Sequence, residues 1–294
     1  MAEKYVDQAS GLRRLFSHKP LRVVTFVSGS GGVGKSALVR NVAACLAKRG
    51  VAVLILDESA EKPKPSQFGT SPQRDLFQVV SGECGLADVL SATSPGVQIL
   101  QVAETMKKLG VLDRRQQHIL TESLCTLETS VDVILVDASQ DHPFGLSPLV
   151  LVAHSTVVVM STTAASITQA YALIKKASLN YARRDYRVVV NGARSQEEAR
   201  SIFRNLSQVA YSRGVARLDF SGAIPRDEHV QQAANLGQPV EALFPETMVA
   251  GACRKLAEDL LDWDLSGDES NSLDEWVQQL LQLSRHAPPL ALYA

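Results

Sequence analysis

Apolar positions along the chain fall into short unbroken runs, separated by longer stretches in which they recur at helical spacing. Val23-Val24-Thr25-Phe26-Val27 is β-branched and aromatic, the pattern of a strand buried on both faces. Ala37, Leu38, Val42, Ala43 and Leu46 then repeat at helical spacing as far as Arg49-Gly50, where glycine stops the helix. Further strands are predicted at residues 51–56, 97–101, 131–136, 156–160, 187–190 and 219–224, with helices at 114–127, 164–178, 196–213 and 248–263. Alternating strands and helices predict an α/β fold in three layers, a mostly parallel sheet with helices on both faces.

The polar stretch Ser266-Gly267-Asp268-Glu269-Ser270-Asn271-Ser272 divides the chain. It leaves a short N-terminal segment at 1–19, one domain at 20–265, and a linker with a final helix at 266–294. The longest uncharged run, 144–174, contains Ser147, Pro148, His154, Thr162, Ser166 and Gln169. That is too polar for a lipid-facing span, and it divides better into a short helix, a strand and a second helix.

Within this pattern, Gly29-Ser30-Gly31-Gly32-Val33-Gly34-Lys35-Ser36 lies between the first strand and the first helix and fits the phosphate-loop pattern G-x-x-x-x-G-K-[ST]. A strand, a glycine turn and a helix N-terminus aim backbone N–H groups and the positive end of the helix dipole at one point. Gly29, Ser30, Gly31, Gly32, Val33, Gly34, Lys35, Ser36 and Ala37 form the candidate nucleotide site. Lys35 is placed to reach the β- and γ-phosphates of ATP, and the Ser36 hydroxyl to bind Mg²⁺. Asp132-Val133-Ile134-Leu135-Val136-Asp137 is an apolar strand ending in a carboxylate, the form of a Walker B element. Its Asp137 can meet the Mg²⁺ shell beside the loop.

Composition narrows the classes. With 30 Lys and Arg against 31 Asp and Glu, the net charge of −1 carries no basicity of the nucleic-acid-binding kind. Cys45, Cys84, Cys125 and Cys253 are far apart, so neither a zinc site nor a disulfide framework is indicated, and a reducing cytoplasm is the simplest location. The first twenty residues are polar and of mixed charge, without the form of a signal peptide. The six histidines are scattered and have no nucleophile at recognisable spacing.

The loop, the strand end Leu54-Ile55-Leu56-Asp57, the Walker B strand and Val190-Asn191 together resemble the MinD/ParA group of P-loop ATPases. Within that group the chain is similar to the FlhG (FleN) type of flagellar-number regulators. Two segments carry this closer likeness: Ser166-Ile167-Thr168-Gln169-Ala170-Tyr171-Ala172-Leu173-Ile174-Lys175, and Asp7-Gln8-Ala9-Ser10-Gly11-Leu12-Arg13. The second matches a D-Q-A-x-x-L-R signature. The resemblance implies that Asp7, Gln8, Ala9, Leu12 and Arg13 contact and stimulate FlhF, a GTPase of the signal-recognition-particle type. Ala9, Leu12 and Phe16 also fall at helical spacing, so the segment reads on its own as a short amphipathic helix. The resemblance further implies an ATP-dependent homodimer, catalytic roles for Lys35, Asp57 and Asp137, and Mg²⁺ at Ser36, Asp57 and Asp137. It also implies a base contact from Asn191 just past its strand and a base-pocket turn at Ile224-Pro225-Arg226-Asp227, with Pro225 lining the pocket. A flagellar transcription factor or switch-complex protein is a further implied partner, and recruitment to the cell pole or membrane face would follow from partners.

Two departures from the group pattern matter. Its signature lysine at the start of the loop, which reaches across a dimer, is Ser30 here, and the second aspartate of its D-x-D element is Ser59. Both changes remove charge where charge governs phosphoryl transfer, so binding without fast hydrolysis is expected unless Lys62 or Lys64 substitutes. The group's membrane-targeting tail is also altered. Leu273, Trp276, Val277, Leu280 and Leu281 make an apolar face after a Ser272…Glu275 capping box. The polar face, however, carries Asp274, Glu275, Gln278, Gln279 and Gln282, the wrong charge for anionic lipid. Packing on the domain or on a protein partner is expected, with weak or no membrane binding. The competing reading is a ParA-like ATPase that positions DNA or other cargo by hydrolysis-driven cycling. Ser30, Ser59 and the balanced charge count against it and against specific nucleic-acid binding.

Overall fold

The computed structural model describes residues 21–59, 74–140, 142, 146–263 and 272–286. In chain order the elements are β1 (Arg22–Val27), α1 (Lys35–Lys48), β2 (Val53–Asp57), α2 (Leu76–Val80), β3 (Leu90–Ser94), β4 (Val97–Gln101), α3 (Ala103–Lys108), α4 (Arg114–Cys125), β5 (Val133–Asp137), α5 (Pro148–Leu151) and β6 (Ser155–Ser161). They continue as α6 (Ala164–Tyr181), β7 (Asp185–Ala193), α7 (Gln196–Ser212), β8 (Arg217–Pro225), α8 (His229–Asn235), α9 (Val240–Leu243), α10 (Met248–Asp262) and α11 (Leu273–His286). The strands form one sheet in the order β3-β4-β2-β5-β1-β6-β7-β8. All neighbours run parallel except β3 and β4. The three-layer α/β architecture expected from the alternation is the one observed.

Strand alternation sorts side chains between the two helical layers. Val24 and Phe26 of β1, Val53 and Ile55 of β2, and Val133 and Leu135 of β5 pack in a core with α1 and α10. Val23, Leu54, Leu56, Ile134 and Val136 face the opposite core, built with α4, α6, α7 and α11. By the same parity Asp57 and Asp137, which are paired in register across β2 and β5, fall on the α1 side. Glu58 falls on the other.

Several boundaries differ from those expected. β2 starts at Val53, because Ala52 is held by Asp132: the Ala52 N–H donates to Asp132 Oδ2 at 2.8 Å and Asp132 N–H returns to the Ala52 carbonyl. β7 and β8 each run to nine residues, and Asn191 therefore lies inside β7 rather than past its end. The antiparallel edge strand β3 was not anticipated; it is half-buried, and its Ser91, Thr93 and Ser94 blur the apolar alternation.

The final helix docks on the domain. Leu273, Trp276, Val277, Leu280 and Leu281 are buried in the core shared with α4, while Asp274, Glu275, Gln278 and Gln282 point to solvent. Among the described residues no helix is long and apolar enough to cross a membrane.

Candidate functional site

β1 delivers the chain into the loop, and α1 leaves it. Gly32 and Gly34 take φ of +73° and +82°, backbone that L side chains rarely adopt. Gly29 is required for another reason: a Cβ there would lie 2.3 Å from the Gln169 backbone of α6, so the loop rests directly on that helix. Asn191 supports the loop from β7, its Nδ2 donating to the Val33 carbonyl at 2.7 Å. α2, α4, α5, α6, α7 and α10 are each capped by an Asp, Ser or Thr side chain. α1 begins instead at Gly34 with no side-chain cap, which leaves its first N–H groups to an anion.

The carboxylates gather where parity sends them. The Lys35 ammonium contacts Asp137 Oδ1. Asp57 Oδ1 accepts from Ser59 N and Oγ at 2.8 and 2.5 Å, and its Oδ2 accepts from Gln101 Nε2 at 3.1 Å and lies 3.5 Å from Arg40 Nη2. Burial pulls Lys35 down to about 8; Asp57 and Glu58 oppose the shift and Arg40 adds to it. These residues fit a magnesium-bound triphosphate: an uncapped helix start, the Lys35 ammonium, and two register-paired carboxylates, Asp57 and Asp137, one of them in contact with Lys35. No group of three His, Cys, Asp or Glu that could hold a metal by itself occurs among the described residues. A nucleotide-bound Mg²⁺ asks for few protein ligands. Asp57 is engaged by Ser59, Gln101 and Arg40, whereas Asp137 is paired with Lys35.

The predicted residues are thus brought together around α1, except at the base side. Pro225 ends β8. Asp227 serves its own turn, its Oδ1 accepting from His229 N at 2.9 Å, with the His229 ring against Phe244. The N-terminal residues Asp7, Gln8, Ala9, Leu12 and Arg13, and also Lys62 and Lys64, lie outside the described residues.

Two site residues escaped the sequence reading. Glu58 is buried against α5, accepting from Ser139 N at 2.9 Å and from the Ser147 hydroxyl. Gln140 reaches back over the loop. Burial pushes the Glu58 carboxyl up to about 7, against the opposing pull of Ser147, Ser139 and Lys35. Its folded value exceeds its unfolded one, so its contribution to stability is complete at low pH and is lost as pH rises from about 4.5 to about 7. Glu58→Gln is expected to abolish that decline, by at most ~3 kcal/mol, when urea unfolding is compared with the parent from pH 5 to 7.5. Parallel pH curves for the two proteins would refute the assignment.

A sequence profile described as the CobQ/CobB/MinD/ParA nucleotide binding domain matches residues 24–240. The chain belongs to this family. Its curated relatives include the antiactivator FleN of Pseudomonas aeruginosa, 29% identical over 92% of this chain and 97% of that one. They also include the flagellum site-determining protein YlxH of Helicobacter pylori, 23% identical over 80% of each chain. Among solved structures, MinD of Pyrococcus horikoshii complexed with Mg-ADP superposes with a TM-score of 0.59 at 20% identity, covering 82% of this chain and 96% of that one. The structural likeness fixes the MinD/ParA fold, and the profile fixes the nucleotide-binding family. The residues between β1 and α1 carry the phosphate-loop pattern inside the matched region, with Ser30 where the group pattern has its first lysine.

Proposed function

We propose that the chain is an ATP·Mg²⁺-binding switch that regulates flagellar assembly or number. In this reading it acts by protein contact and hydrolyses its nucleotide slowly. One observation supports it: the uncapped start of α1, Lys35 and Asp137 lie together, while Ser30 and Ser59 supply no charge. Ser59 is moreover folded back onto Asp57, at 2.5 Å from its Oδ1. Similarity to FleN and YlxH supports the flagellar setting. Lys35 would hold the β- and γ-phosphates, α1 would meet them with backbone N–H groups, and Ser36 and Asp137 would hold Mg²⁺. The magnesium ion would neutralise phosphate charge.

ATP would favour a homodimer, and the dimer would be the signalling form. The N-terminal D-Q-A-x-x-L-R segment would engage an FlhF-type GTPase. Mass in solution tests the switch: a monomer with ADP or no nucleotide, and a dimer with ATP that persists for many minutes, are expected. Equal mass in all states, or a dimer that decays within seconds on ATP, rejects it. For the partner, deleting residues 1–19 should abolish stimulation of GTP turnover in a purified mixture; unchanged stimulation removes the GTPase from the account.

A further inference from the structure

The Gln140 side chain lies three residues beyond Asp137 and crosses the first half of the phosphate loop. An amide nitrogen has two hydrogens to donate. Gln140 Nε2 gives them to Ser28 Oγ, at 2.5 Å, and to the Ser30 carbonyl. Its Oε1 lies beside Gly31, 3.8 Å from where a Cβ would stand. The backbone that carries it is fixed one residue earlier, where Ser139 N donates to Glu58. Gln140 is itself exposed, so it contributes little to the core.

The side from which it approaches gives the contact its meaning. Asp137 sits against Lys35, the residue whose place is at the β- and γ-phosphates. A side chain three positions on, folded over Ser30, therefore overlies the end of the site where a third phosphate would lie. The family's charged residue is missing at that same position, and the side-chain donor that reaches the Ser30 carbonyl among the described residues is a neutral amide.

We propose that Gln140 is the residue that distinguishes ATP from ADP. Its donors rest on the Ser28 hydroxyl and the Ser30 carbonyl. A γ-phosphoryl oxygen, an anionic acceptor, draws them away from the neutral carbonyl and hydroxyl, since charge-assisted hydrogen bonds are about twice as strong as neutral ones. ADP ends at the β-phosphate, deeper in the loop, and leaves the amide where it is. The exchange moves the Gln140 side chain in one nucleotide state only, which makes Gln140 the point where the site reports its occupant. This inference rests on the nucleotide-binding reading above.

The test is calorimetric titration of the full chain with a non-cleavable ATP analogue and with ADP, both with Mg²⁺. Parent, Gln140→Ala and Gln140→Glu are compared, with thermal melting of each. Both variants should keep the parent's melting temperature and bind ADP within about twofold of it, while losing about tenfold in preference for the ATP analogue, a difference of about 1.4 kcal/mol. Gln140→Asn, which keeps the donors on a shorter arm, should fall between. An unchanged preference in both variants, or equal weakening of the two nucleotides, would mean that Gln140 only props the loop. A parent that binds neither nucleotide would sink the nucleotide reading itself, and this inference with it.

Discussion

Alanine at position 35 is expected to weaken Mg·ATP binding by about a hundredfold or more and also to destabilise the nucleotide-free protein by about 3–5 kcal/mol. The first effect follows from the loss of the only lysine in the loop. The second follows from what Lys35 does without nucleotide. Asp57 and Asp137 are 1% and 2% exposed, and among the described residues Arg40 and Lys35 are the cations paired with them. Removing the ammonium leaves the buried Asp137 carboxylate unpaired beside its register partner Asp57. Breaking one half of a buried pair costs the desolvation of the half that stays. Lys35→Ala combined with Asp137→Asn should therefore recover most of the lost stability in urea unfolding but none of the ATP binding in calorimetry. Coupling of this kind between neighbours is what a double-mutant cycle resolves. If Lys35→Ala bound ATP within tenfold of the parent, the phosphate-site assignment would be wrong.

How much of this was legible in the sequence depended on whether a signal was local. β1, the loop and α1 could be read directly, because the apolar period changes from unbroken to helical across a run of four glycines. Asp57 and Asp137 could be read as strand-end carboxylates, and their shared face follows from strand parity once both strands are assigned. The same parity would have sent Glu58 to the opposite layer, but nothing local announces that Ser147, 89 residues away, waits there. Gln140 is 112 residues from Ser28, and no spacing rule joins them. β3 was illegible because half-burial on a polar edge erases alternation. The apolar stripe of the last helix was plain from Leu273 to Leu281, whereas its docking surface on α4 is a property of the folded chain.

Restoring charge at positions 30 and 59 is expected to convert a slow site into a faster one. Ser59 now donates from its backbone and hydroxyl to Asp57 Oδ1. An aspartate there cannot donate from its side chain, and like-charge repulsion would turn it away from Asp57, toward the open side of the site where an attacking water must be held. Ser30 Oγ faces the Ser166 hydroxyl across 3.5 Å, a contact too long to hold it firmly. In the ATP-dependent homodimer proposed above, a lysine at 30 would be the residue to reach the second subunit's phosphates. Ser30→Lys with Ser59→Asp should raise single-turnover ATP cleavage by about ten- to a hundredfold, the scale on which one preorganised charge acts. Each change alone should yield less than its share, since groups that serve one transition state are not additive. Single-turnover cleavage by the parent at the rate of the double variant would show that another cation already does this work, with Lys62 and Lys64 the residues to replace next. On the proposed reading the two serines would set the lifetime of the bound state, because a hydroxyl can hold a place in the loop yet cannot neutralise charge developing in phosphoryl transfer.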